Sequence, residues 1–203
     1  MRTVTALFDT YDHAASAVRA LKDSGFSSED VSLVANNATG EVSTDDTDAG
    51  EGAAAGAGVG AVAGGGAGLL AGLGAIAIPG IGPVIAGGWL LATAIGAAAG
   101  AAVGGVAGGL LGALANAGVP EDEAHVYAEG VRRGGTLVTV RADDARAETA
   151  SAILQNAAGV DIDRRRTDYL AEGWRGFDDN DPAYSPQQIR DYRSSYLSAP
   201  PPL

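Results

Sequence analysis

The run Gly72-Leu73-Gly74-Ala75-Ile76-Ala77-Ile78-Pro79-Gly80-Ile81-Gly82-Pro83-Val84-Ile85-Ala86-Gly87-Gly88-Trp89 sits at the centre of a charge-free stretch from Gly52 to Pro120. That stretch is Gly, Ala, Leu, Ile and Val, with Trp89, Thr93 and Asn116 as its polar side chains. Before the Pro/Gly break, glycine recurs every fourth residue at Gly52, Gly56, Gly60, Gly64, Gly68 and Gly72. After it, the spacing returns at Gly96, Gly100, Gly104, Gly108 and Gly112. A four-residue repeat of small residues lines one helix face and lets another backbone approach closely. The reading is therefore a glycine-zipper helical hairpin, with arms Ala53–Ala77 and Val84–Ala117 and a turn at Pro79, Gly80, Gly82 and Pro83.

Glycine inside a helix costs about 1 kcal/mol relative to alanine, so such a hairpin needs an external source of stability. Two environments supply one. A bilayer forces helix because unpaired amides are costly there, and the first arm, about 37 Å long as a helix, exceeds the roughly 30 Å hydrocarbon core. Close packing against identical hairpins in a soluble assembly is the other. Trp89, just beyond the turn, suits a headgroup anchor equally well as a residue that packs the loop. The flanks are acidic (Asp45, Asp46, Asp48 and Glu51; Glu121, Asp122 and Glu123) and provide no basic anchor for a membrane segment.

On both sides the sequence changes to ordinary amphipathic patterning. Thr3–Phe8 alternates as a strand. Ala14, Ala17, Val18 and Leu21 form a helix stripe that Gly25 ends, and Val31–Ala35 is a second strand. Beyond the hairpin, Pro120 with Glu121, Asp122 and Glu123 starts a helix whose stripe is Ala124, Tyr127, Ala128 and Val131, stopped by Gly134 and Gly135. Thr136–Arg141 is a strand, Ala147, Ala150, Ile153, Leu154 and Ala157 line a helix, and Val160–Asp163 reads as a short last strand. The fold class this predicts is α+β: a ferredoxin-like split βαβ…βαβ head, its four-stranded antiparallel sheet covered on one face, with the hairpin inserted at its midpoint. The parts are 1–36 (first half of the head), 37–51 (acidic linker), 52–119 (hairpin), 120–166 (second half) and 167–203 (a mostly disordered tail). That tail scatters Trp174, Phe177, Tyr184, Tyr192 and Tyr196 among Asp, Ser and Pro, with a short helix at Pro186–Tyr196.

Several chemistries are excluded or weak. The net charge of -12 argues against nucleic acid, and the absence of cysteine removes thiol catalysis and thiolate metal sites. No lysine follows Lys22, so a Walker phosphate loop is impossible downstream, and the Rossmann-like glycine spacings end in alanine. His13 and His125 are the two histidines, and exposed or capping roles outweigh a shared metal site. No catalytic residue, cofactor or metal ligand is expected, and the protein reads as a non-enzyme. The N-terminus lacks the apolar core of a secretory signal. A hairpin that returns to its starting side would keep both ends in one compartment. The expected location is the inner membrane with cytoplasmic head and tail, or else the cytoplasm. The expected partners are further copies of the chain and a lipid bilayer.

Thr3-Val4-Thr5-Ala6-Leu7-Phe8-Asp9, Ala14 through Gly25-Phe26, and Val31-Ser32-Leu33-Val34-Ala35-Asn36 resemble the bacterial general stress protein 17M-like domain, also called the YflT-type heat-induced stress domain. His125-Val126-Tyr127-Ala128-Glu129-Gly130-Val131-Arg132-Arg133-Gly134-Gly135 with Leu137-Val138-Thr139-Val140 is similar to the closing part of such proteins that carry a Gly/Ala hairpin. The resemblance implies a stress-associated bacterial protein and supplies no catalytic residues. A ligand-sensing head follows from fold analogy alone.

Overall fold

The computed structural model describes residues 1–42, 73–93 and 109–197. Five strands, β1 (Arg2–Phe8), β2 (Val31–Asn36), β3 (Gly74–Ile78), β4 (Gly82–Gly87) and β5 (Thr136–Ala142), form one antiparallel sheet in the order β1-β5-β2-β4-β3. The helices within the described residues include α1 (Tyr11–Asp23), α2 (Gly109–Asn116), α3 (Glu121–Arg132), α4 (Asp144–Asn156), α5 (Ile162–Ala171) and α6 (Pro186–Leu197).

Alternation along the strands feeds two cores. Val31, Leu33 and Ala35 of β2 and Val138 and Val140 of β5 meet Ala14, Ala17, Val18 and Leu21 of α1 and Ala147, Ala150 and Leu154 of α4. The opposite parity, with Leu7, Val34 and Leu137, meets Leu110, Ala113 and Leu114 of α2 and Ala124, Tyr127, Ala128 and Val131 of α3. Helices therefore cover both faces, where the sequence reading put them on one. A sheet buried on both sides needs near-continuous apolar strands, and all six residues of β2 are buried. One polar row crosses the second face: Thr5, Thr139 and Ser32 lie in register. The Ser32 hydroxyl accepts from Leu90 N–H at 2.9 Å. The buried Thr139 hydroxyl has no hydrogen-bond partner among the described residues. Thr139→Val keeps the shape and removes that desolvated group, so thermal unfolding should show it neutral or up to about 1 kcal/mol more stable.

Half of the ferredoxin-like expectation holds and half is corrected. β1 and β2 run parallel with β5 between them and α1 crossing over, which is the first split βαβ unit. The fourth strand, expected at Val160–Asp163, is absent. Val160 N–H donates to Leu7 O at 2.8 Å, and there the pairing stops. The Asp161 carboxylate caps α5 by accepting from Asp163 and Arg164 N–H, so the chain turns away as a helix.

The helical hairpin is corrected more deeply. Gly74–Ile78 and Gly82–Gly87 are strands, and their turn belongs to a β-hairpin on the sheet rather than to the tip of two rods. Ile76, Ile78, Val84 and Ile85 are β-branched, and their alternation suits a pleated ribbon. Ile81 N–H donates to Ile78 O at 3.1 Å, closing a turn with Pro79 second and Gly80 third at φ +72°. That is the proline–glycine placement of a type II turn. Ile81 is fully buried, so the turn is part of the body. The tail is corrected in part: the short helix expected at Pro186–Tyr196 appears as α6 (Pro186–Leu197), but α5 forms as well, and Tyr169 and Ile189 are fully buried rather than disordered.

Candidate functional site

The densest polar constellation lies where α3 ends at Arg132-Arg133-Gly134-Gly135. Glu129 faces the core side of that last turn and is 1 % exposed. A buried carboxylate requires partners, and helical spacing places two beside it. Arg133 Nε donates to Glu129 Oε1 at 2.6 Å, and Arg132 Nη1 to Oε2 at 3.4 Å. Burial disfavours the Arg133 charge, yet the hydrogen bonds to Glu129 and Glu172 outweigh it and hold its pKa above the ordinary value.

The C-terminal segment closes over this turn. Arg133 Nη1 pairs with Glu172. Its guanidinium lies 4.2 Å from the Tyr169 ring centroid and 4.9 Å from that of Tyr192. Arg132 reaches Asp181 at 3.2 Å and Pro182 O at 3.1 Å, and lies 5.2 Å from the Tyr184 ring centroid. Arg193 of α6 donates through Nε to Gly134 O at 3.1 Å and pairs with Glu41. Farther along, Arg165 bonds Asp9 at 2.8 Å and stacks on Tyr196 at 4.1 Å. His125 Nδ1 accepts from Phe177 N–H at 3.0 Å. Burial is the largest cause raising the Tyr169 and Tyr192 phenols above their usual pKa, so both stay neutral against the guanidinium. The arrangement can hold an aromatic, acidic segment. It presents no nucleophile–base pair, and no group of three or more His, Cys, Asp or Glu suited to a metal occurs among the described residues.

Of the residues singled out from sequence, Gly56, Gly60, Gly64, Gly68, Gly72, Gly96, Gly100, Gly104 and Gly108 lie outside the described residues. Gly112 is buried in α2. Pro79, Gly80, Gly82 and Pro83 are gathered at the β3–β4 turn, where a Cβ on Gly80 would come within 2.8 Å of the Asp179 backbone. Trp89 is held in the body: its Nε1–H donates to Asp30 O at 3.0 Å, and Arg141 sits 4.9 Å from its ring centroid. These residues do not converge on one site. The sequence reading took Gly134 and Gly135 as the stop of this helix and missed the carboxylate that Arg132 and Arg133 share just before it. The signal was present in Glu129, three and four residues before them. Their aromatic partners lie too far along the chain for any local pattern to have joined them.

This corner defines the molecule as a small α+β domain carrying its own docked C-terminal arm. Its affiliation is narrower than that: residues 3–77 match the Heat induced stress protein YflT domain, so the chain carries a domain of that family. No curated protein and no solved structure matches the chain. The match ends inside β3. None of the three strands it contains pairs with another of the three; β1 and β2 meet through β5, and β3 rests on β4.

Proposed function

We propose that this protein is a non-enzymatic stress protein that works by self-association through its charge-free, small-residue segments, residues 52–72 and 94–108. The supporting observation is where the described ends of these segments lie. Val42 and Leu73 pack with the α1 side of the sheet, while Leu90 and Leu110 pack with the α2 side. A Cβ on Gly87 would touch Leu73, and one on Gly109 would touch Ile78. The described residues that flank these segments thus pack into the body, and the turn expected as a distal tip is bound into the sheet. Spanning a bilayer and returning takes about 20 residues for each pass. Residues 94–108 would rise about 22 Å even as a continuous helix. Among the described residues no helix is long and apolar enough to cross a membrane. Small residues that permit close backbone approach suit contact between copies, and the net charge of -12 favours dispersal of the resulting particle.

Light scattering after size exclusion, without detergent, tests this on the full chain. A defined oligomer is expected, and replacing Gly60, Gly64, Gly100 and Gly104 together by leucine should reduce its mass at least twofold. A wild-type monomer overturns the reading. Flotation with phosphatidylethanolamine–phosphatidylglycerol vesicles distinguishes the membrane alternative: quantitative flotation would place the same segments in lipid and the protein at the inner membrane, while recovery in the aqueous fraction accords with a cytoplasmic assembly.

A further inference from the structure

The outer edge of β1 is a strand edge that the described residues leave open. Arg141 N–H donates across to Asp30 O at 2.9 Å, so Arg141 of β5 turns its backbone groups toward β2. Backbone direction alternates along a strand, so its partner Thr3, and then Thr5 and Leu7, aim N–H and C=O away from β5. Leu7 O accepts from Val160 N–H, and Thr5 O accepts from the Tyr127 hydroxyl at 3.2 Å, leaving that carbonyl one lone pair. Beyond β1 no further strand occurs among the described residues. In its place runs a groove of about 420 Å³ along Arg2, Thr3 and Thr5, with Glu123 and Tyr127 on the α3 side and Glu148 and Ser151 on the α4 side, so its lining carries two carboxylates against the one guanidinium of Arg2.

We propose that this groove binds an extended, basic peptide segment, adding it as a sixth strand beside β1. The walls come from helices on opposite faces of the sheet. The open length, from Arg2 to Ala6, takes about four extended residues, roughly 13 Å. Edge addition supplies affinity through main-chain hydrogen bonds and selectivity through alternate side chains. Those alternate side chains would meet Glu123 on one wall and Glu148 on the other, neither of which forms an ion pair among the described residues. Lysine or arginine complements both.

The test uses the full chain and the synthetic peptide acetyl-Thr-Lys-Val-Thr-Lys-Val-amide, whose two lysines fall on opposite faces of an extended strand, read by amide hydrogen exchange and titration NMR. The peptide should slow exchange at Thr3 and Thr5. A Glu123→Gln/Glu148→Gln double variant, which alters only the groove walls, should bind it about fivefold more weakly. A peptide with proline in place of the central threonine loses a backbone donor and should not slow exchange. Three results overturn the proposal: unchanged exchange at Thr3 and Thr5 with millimolar peptide, equal protection by the proline peptide, or protection that rises with protein concentration in the absence of peptide, which would assign the groove to a second copy.

Discussion

Replacing Glu129 with alanine should lower the midpoint of thermal unfolding by roughly 6–20 °C. Removing one member of a buried ion pair costs about 3–5 kcal/mol, because the partner charge stays desolvated without compensation. In a chain of this size each kcal/mol moves the midpoint by about 2–4 °C. Here the loss falls on two guanidinium groups, since Arg132 and Arg133 share the one carboxylate and are 7 % and 6 % exposed. Glu129→Gln keeps the shape and one acceptor oxygen, and should fall between wild type and alanine. Differential scanning calorimetry makes the comparison. A midpoint shift below about 2 °C for alanine would mean that Glu172 and Asp181, both about half exposed, suffice to neutralise the arginines.

Gly134→Ala should release the C-terminal arm while leaving the sheet folded. Gly134 has φ +102°, where an L side chain is strained, and an added Cβ would stand 2.4 Å from Ile189 Cγ2 and 3.1 Å from Arg193 Nε. Both neighbours belong to α6, so relief comes most readily by moving that helix outward. The lost contacts include the fully buried Ile189 and the Arg193 bonds to Gly134 O. Together these are worth several kcal/mol, with side-chain burial alone about 1.5–3 kcal/mol. Limited trypsin digestion should then cut at Arg190 and Arg193 at least tenfold faster than in wild type, with far-UV dichroism largely retained. Equal cleavage rates would show that the arm docks independently of this contact.

The outer parts of the fold were legible from local patterns because each obeyed one period. The stripe Ala14, Ala17, Val18 and Leu21, the run Val31–Ala35 and the stripe Ala124, Tyr127, Ala128 and Val131 all appear where expected. The central stretch misled because glycine and alanine satisfy a helical and a pleated period equally, while tertiary packing chose the pleat for Ile76, Ile78, Val84 and Ile85. The second face of the sheet was missed with it, because β4 and α2 both overlap the stretch Val84–Ala117 that read as one hairpin arm. The helix at Pro186–Tyr196 was legible, but the rest of the arm looked disordered because many of its contacts are arginine–aromatic and ionic pairs with residues far away in the chain. Asp161 was legible as a cap and was read instead as the middle of a strand.

The separation of β1, β2 and β3 by strands made later has a consequence during synthesis. A ribosome delivers all three before anything that can bridge the first two, and β1 stays without a sheet neighbour until Ala142 has emerged. Long-range closure of this kind is slow and leaves strand edges bare meanwhile. The nascent protein therefore passes through an interval in which that bare edge is open to neighbouring chains, and the interval closes only when β5 arrives.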